Sequence, residues 1–200
     1  MINYKKLKRG PAVVLPKDAG LIVALTGFGS GSKAIDCGGG SGFLTLFLAN
    51  IAGKDGKIYS YERRPEFAAI IQKNIEKTGF ENIELKEKDG FEGFKEKNID
   101  LITLDCAESE KLLPFALESL KPGCFVVGYL PHFEQTKTFV LTGESIGFTH
   151  YKTIEVIVRE YKVRSHGMRP ENMGLVHTAF LAFLQKPEEI KPKTNEKTSE

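Results

Sequence analysis

A doubly wound α/β fold on a mostly parallel, seven-stranded sheet is predicted by three observations. Short apolar runs alternate with helical segments, a glycine turn joins the first such run to a helix, and the last two strands follow one another without a helix. Parallel neighbours need a long crossover, whereas two strands joined only by a loop, here 164–176, should pair antiparallel.

The elements follow in order. Residues 18–26 read as a short helix capped by Asp18 and stopped at Gly27. Strand 33–37 runs through the glycine turn into helix 43–51, and strand 57–62 comes next. Helix 65–77 carries Pro65 in its first turn and ends at Gly79. Strands 83–88 and 100–105 precede a helix near 111–120, which stops at Lys121-Pro122-Gly123. Strand 124–130, a helix near 133–145, a long and partly alternating strand 149–163, and a last strand 177–185 complete the set.

With 200 residues and 41% hydrophobic content, one domain with a good core is expected over 1–185. The remainder, 186–200, is rich in Pro, Lys, Glu and Thr with almost no apolar residue, and reads as a disordered tail. Lys plus Arg number 28 against 26 Asp plus Glu, a net +2, so any nucleic-acid contact must come from local patches. Three cysteines, Cys37, Cys106 and Cys124, lie in or beside apolar runs without metal-ligand spacing. Buried reduced thiols and no metal site are therefore expected. No apolar run approaches the length of a membrane span, and the first residues are not a secretory signal, which predicts a cytoplasmic protein.

Residues 33–48 go from an apolar strand through Gly38-x-Gly40-x-Gly42 into a helix, and only glycines let a ligand lie directly against main chain. A nicotinamide fingerprint would place its third glycine at position 43, which is Phe43. Glu62 closes the second strand 26 residues after Asp36 (62 minus 36), where an acid can hold two ribose hydroxyls. Asp36, Glu62, Asp89 and Asp105 stand at four successive strand ends, the edge where an open α/β sheet gathers its ligands. An acid followed by G-x-G-x-G resembles the first motif of the S-adenosylmethionine-dependent methyltransferases. That cofactor would lie along Asp36, Gly38, Gly39, Gly40, Ser41 and Gly42, with Glu62 and Arg63 at its ribose, Asp89 and Gly90 at its adenine, and Asp105 facing the transferable methyl.

Further segments carry a narrower resemblance: Lys8-Arg-Gly-Pro with Pro16-Lys-Asp, Gly40-Ser-Gly-Phe-Leu-Thr-Leu-Phe-Leu-Ala, Tyr61-Glu-Arg-Arg-Pro, Leu104-Asp, Tyr129-Leu-Pro with Gln135, Arg159-Glu-Tyr-Lys-Val-Arg, Arg169-Pro and His177-Thr-Ala-Phe-Leu. In these the chain resembles the tRNA (adenine-N1)-methyltransferases of T-loop positions 57 and 58, from Lys8 to about Gln185. The resemblance implies a class I, Rossmann-like methyltransferase that uses S-adenosyl-L-methionine, takes tRNA as partner and works as a homo-oligomer, a tetramer or dimer. It implies Asp105 as the catalytic carboxylate and Leu15, where the family often has Tyr, near the target base. His132 at a strand end and Arg164 and Arg169 in the loop 164–176 are further candidate substrate contacts, and the aromatic platform is open among Phe91, Tyr129, Phe133 and Tyr161. Basic residues Lys5, Lys6, Lys8, Arg9 and His166 join the candidate RNA contacts. Family members usually carry an N-terminal β-rich domain before the Arg-Gly-Pro segment. Here only Met1 to Leu7 precede that segment, so a separate RNA-binding partner is a further expectation. A different acceptor, or a cofactor-binding but non-catalytic subunit, stands as the alternative.

Overall fold

The computed structural model describes residues 4–10, 13–172, 174 and 176–188. Helix α1 (Pro16–Thr26) has proline in its first turn and closes at Gly27, where φ is +69°. Strand β1 (Lys33–Cys37), helix α2 (Phe43–Ala52), strand β2 (Lys57–Tyr61) and helix α3 (Pro65–Thr78) form the first alternating units. After β3 (Ile83–Lys86) and a 3-10 turn come β4 (Ile99–Leu104), a second such turn, α4 (Leu113–Ser119), β5 (Leu120–Leu130) and α5 (Phe133–Ser145). The chain ends with β6 (Thr149–Glu155), a hairpin of β7 (Tyr161–Arg164) and β8 (Gly167–Pro170), and β9 (Phe180–Gln185).

Seven strands make one sheet in the order β3-β2-β1-β4-β5-β9-β6. Pairings among β1 to β5 are parallel, while β9 runs antiparallel to both β5 and β6. The expected antiparallel pairing of the last two sheet strands is thus present, with β9 also wedged against β5. Side-chain alternation explains why both sheet faces are dry. Ile35, Ile102, Leu104, Val126 and Leu184 belong to one buried cluster with α4 and Phe139 of α5. Their neighbours Ala34, Leu101, Val127 and Phe183 belong to a second, with Ile22 of α1 and Leu48 of α2. Order reverses between β1 and β4, which opens a switch-point crevice at the carboxyl ends of the strands.

Three local expectations need correction. Asp18 does not cap α1: the helix starts two residues earlier at Pro16, Leu15 is its cap residue, and the wholly buried Asp18 side chain turns to Lys17 and Thr178 instead. The fixed φ of proline prepares that earlier start. Strand 149–163 is not continuous, because β6 runs out of partner at the Glu155–Phe180 pair. Residues 161–164 then pair with 167–170, so a hairpin occupies the start of the expected loop 164–176. The tail expected over 186–200 lies outside the described residues from 189 onward. Lys186 still bonds inward, its ammonium donating to the carbonyls of Leu117 and Leu120 at 2.7 Å.

Phe139 is fully buried and its ring stands 3.0 Å from where a side chain on Gly128 of β5 would begin. Phe139→Ala should cost about 3–5 kcal/mol in denaturant unfolding; a loss below about 1 kcal/mol would show that α5 does not seal this face.

Candidate active site

Asp36 lies in register between Ser60 of β2 and Thr103 of β4, all three on the face that α2 covers. A buried carboxylate must be satisfied by donors. Thr45 of α2 donates to its Oδ2 at 2.5 Å and Thr103 to its Oδ1 at 2.8 Å. The single Thr45 proton is thereby committed, so Ser60 is the donor in the 3.0 Å Thr45–Ser60 bond. Burial raises the Asp36 pKa most, the two threonine bonds pull it down, and Glu62 adds to the rise.

Beyond Asp36 the chain turns through Gly38, Gly40 and Gly42 at φ of +90°, +56° and +76°. The amides of Gly38 and Gly39 donate to the Tyr61 carbonyl at 3.0 and 3.1 Å. A Cβ on Gly38 would sit 2.1 Å from the Asp105 carbonyl oxygen, so β1 and β4 approach here without room for any side chain. Glu62, only 3% exposed, accepts the Gly40 amide at 2.9 Å on Oε2 and the Arg64 amide at 3.0 Å on Oε1. The Arg64 Nε donates to the same Oε1 at 3.2 Å, while its guanidinium lies 3.9 Å over the Phe67 ring.

Two crevices flank this turn. One of about 260 Å³ is walled in part by Gly38, Glu62, Arg63, Asp89, Gly90 and Asp105. The other, about 20 Å³, has Asp36, Gly38, Gly39, Gly40, Ser41 and Asp105 among its walls. Gly38 and Asp105 are common to both. Ten of the eleven expected cofactor residues therefore converge, and Gly42 adjoins them as the residue before α2. Asp89 caps the 3-10 turn at Phe91 with Oδ1 and pairs with Arg63 at 3.3 Å. The larger crevice sets the acids Glu62, Asp89, Asp105 and Glu108 against the bases Arg63, Arg64 and Lys88. Asp105 is pushed up to about 7, first by burial and then by the charges of Asp36 and Glu62, with Arg64 opposing. Cys37 and Cys106 line the larger crevice, and Cys106 raises the Cys37 thiol more than burial does.

The expected substrate contacts other than Phe91 lie outside the walls of both crevices. Leu15 is half-buried at the start of α1, its carbonyl accepting from Asp18 and Ala19. Tyr129 stands beside Asp18 and Thr178 at the end of β5, and burial pushes it up to about 12. His132 is exposed ahead of α5. Arg164 and Arg169 are exposed on the β7–β8 hairpin, where Arg169 donates to Asn172 at 2.7 Å. The Lys5 side chain lies outside the described residues. His177 meets Glu155 at 2.6 Å and the Pro131 carbonyl at 2.9 Å, a contact that ties β6 to the residue after β5. Sequence reasoning missed a polar node in which the Lys17 ammonium donates to Asp18, Thr178 and the Val156 carbonyl, each at 2.8 Å. It also missed Thr45 and Thr103, which only strand register could have revealed.

Gly38→Ala combines a left-handed backbone position with a backbone clash, so at least about 2 kcal/mol of stability should be lost. Thermal unfolding checks this; an unchanged midpoint would mean that β1 and β4 do not meet as closely as described.

A family model described as the tRNA methyltransferase complex GCD14 subunit matches residues 6–199. The chain is 32% identical over 220 residues to the tRNA (adenine(57)-N(1)/adenine(58)-N(1))-methyltransferase TrmI of Methanocaldococcus jannaschii, covering 96% of this chain and 78% of that protein. It is 35% identical over 186 residues to the tRNA (adenine(58)-N(1))-methyltransferase TrmI of Thermus thermophilus, covering 90% and 71%. Among solved structures, the tRNA (m1A58) methyltransferase TrmI of Aquifex aeolicus superposes with a TM-score of 0.83 at 26% identity, over 92% of this chain and 69% of that one. An S-adenosylmethionine-dependent O-methyltransferase of Thermotoga maritima gives 0.85 at 30% identity, over 92% and 69%. A family match that spans almost the whole chain, with relatives above 30% identity along nine-tenths of it, makes this chain a member of the tRNA methyltransferase family of the GCD14 subunit.

Proposed function

We propose that the chain is an S-adenosylmethionine-dependent methyltransferase acting on N1 of an adenine in the T-loop of tRNA. The observation that carries this reading is the convergence of Asp36, Glu62 and Asp105 on a bare glycine turn, which leaves Asp105 with a pKa of about 7. A sulfonium nucleoside suits such a place: it brings positive charge to the acids and a diol to Glu62. The acceptor follows from the relatives named for adenine N1.

When bound, the cofactor supplies an electrophilic methyl group. Gly38, Gly39, Gly40, Ser41 and Gly42 offer main chain against its amino-acid part, and Glu62 accepts from ribose hydroxyls with the lone pairs left by Gly40 and Arg64. Asp89, with Gly90 and Arg63 beside it, accepts from the adenine amino group. Adenine N1 needs no base, since its lone pair lies in the ring plane, but its ring becomes positive on methylation. The Asp105 carboxylate stabilises that charge more in the transition state than before it. Asp36 acts behind it, fixing the end of β1. A base drawn out of a folded T-loop costs a few kcal/mol of unstacking; Phe91 in the wall of the larger crevice and Tyr129 at the end of β5 are the aromatics available to it, with Leu15, His132, Arg164 and Arg169 as outer RNA contacts. Three free thiols suit a reducing, cytoplasmic setting.

Unmodified tRNA incubated with labelled cofactor tests the reading by nuclease digestion and mass spectrometry. Label in 1-methyladenosine supports it. Cofactor bound but passed to no RNA would point to a non-catalytic subunit, and label on another molecule to a different acceptor. Asp105→Asn should keep cofactor affinity within about threefold and lower kcat by about 100-fold or more, whereas Glu62→Ala should weaken cofactor binding. Because ionised Asp105 is the competent form, kcat/KM should rise with pH towards a plateau through about 7. A flat profile between about pH 5.5 and 8.5 would remove Asp105 from the chemistry.

The chain is also proposed to assemble with copies of itself. The β7–β8 hairpin exposes Tyr161 at 53%, Val163 at 77% and Met168 at 68%, and an isolated two-stranded hairpin gains little stability alone. Val163→Glu with Met168→Glu should shift sedimentation towards the monomer; a monomeric unaltered protein would refute assembly through this hairpin.

A further inference from the structure

We propose that Asn74, in the middle of α3 and outside every recognised motif, is the positioning residue of the glycine turn, a role that rests on the reading of that turn as the cofactor site. Its side chain is wholly buried, and a buried amide is costly unless every polar atom is matched. All of its side-chain bonds leave its own helix. Its Oδ1 accepts from the Lys8 amide at 2.8 Å, and its Nδ2 donates to the Lys8 carbonyl at 2.8 Å and to the Ser41 carbonyl at 2.9 Å. Two carbonyls and one N–H dictate which end of the amide faces which group, so the orientation follows from chemistry.

Ser41 is thereby gripped on two sides. Its carbonyl meets Asn74, and its hydroxyl oxygen accepts the Gly10 amide at 2.6 Å. Gly10 fits because it lacks a Cβ, which would stand 2.7 Å from that hydroxyl oxygen and 3.2 Å from the Phe67 ring. The same Phe67 ring supports Arg64, Arg64 bonds Glu62, and Glu62 takes the Gly40 amide. The Gly40–Ser41 segment is thus held at its Gly40 amide by Glu62, at its Ser41 carbonyl by Asn74 and at its Ser41 hydroxyl by Gly10. A turn with glycines on both sides of Ser41 has little stiffness of its own. Holding it in a bound-like shape beforehand saves the ordering cost that a ligand would otherwise meet.

Asn74→Ala removes all three bonds, and Asn74→Asp keeps only the acceptor facing Lys8. Gly10→Ala disturbs the same clip from the opposite side without touching α3. Each should weaken binding of S-adenosylmethionine and S-adenosylhomocysteine by about 10- to 100-fold in calorimetry while kcat at saturating cofactor stays within about threefold. Tryptic cleavage after Lys8 and Arg9 should speed up in the intact protein. If Asn74→Ala fails to fold, Gly10→Ala gives the same test. Folded variants that bind like the unaltered protein, or that lose kcat with affinity intact, would overturn the role of Asn74. Failure of the unaltered protein to bind either nucleoside would instead sink the cofactor site, and this role with it.

Discussion

A carboxylate kept out of water at the end of β1 is the constraint around which this molecule is arranged. Asp36 is 2% exposed and survives there because one hydroxyl from α2 and one from β4 each give it a hydrogen bond. Those donors exist only if β1, β2 and β4 hold their register and α2 packs at one height above them. The same charge reaches forward to Asp105, which it helps to keep close to half-protonated near neutrality. One residue thus couples the order of the sheet to the proton affinity of its neighbour across the switch point.

Glycine performs the complementary task. Where Asp36 demands partners, Gly38 demands emptiness, because the Asp105 backbone occupies the space that a side chain would take. Close backbone contact and mutual repulsion of three acids appear at one place. The stabilising bonds to Asp36, the Glu62 bonds to Gly40 and Arg64, and the guanidinium–ring contact of Arg64 with Phe67 offset that repulsion from below. The larger crevice adds Arg63 and Lys88 to Arg64 against its four acids, so the repulsion is concentrated where Asp36, Glu62 and Asp105 meet.

Much of this was legible in the linear chain, for identifiable reasons. A strand end, a glycine turn and an acid at the next strand end leave a pattern of period and spacing, so Asp36, Gly38, Glu62 and Asp105 could be named in advance. Thr45, Thr103 and Asn74 could not. Their partners lie 9, 67 and 66 residues away and obey register rather than local pattern. Asp18 misled because an acid before an apolar run looks like a cap, while Pro16 had already started the helix and Thr178 claimed the carboxylate. Residues 149–163 alternate evenly enough to pass for one strand; only the end of pairing with β9 breaks them in two.

The position of β9 has a bearing on biosynthesis. Although last among the described strands, it lies inside the sheet, and among the described residues β6 pairs with no other strand. On the ribosome β6 must therefore wait, its backbone groups bonded only to water, until residues 180–185 have emerged. Contacts this distant along the chain form slowly because loop closure precedes any reward. The nascent polypeptide can build β1 to β5 first, but it carries an unfinished edge from the completion of β5 until β9 emerges, the interval in which chaperones would find it.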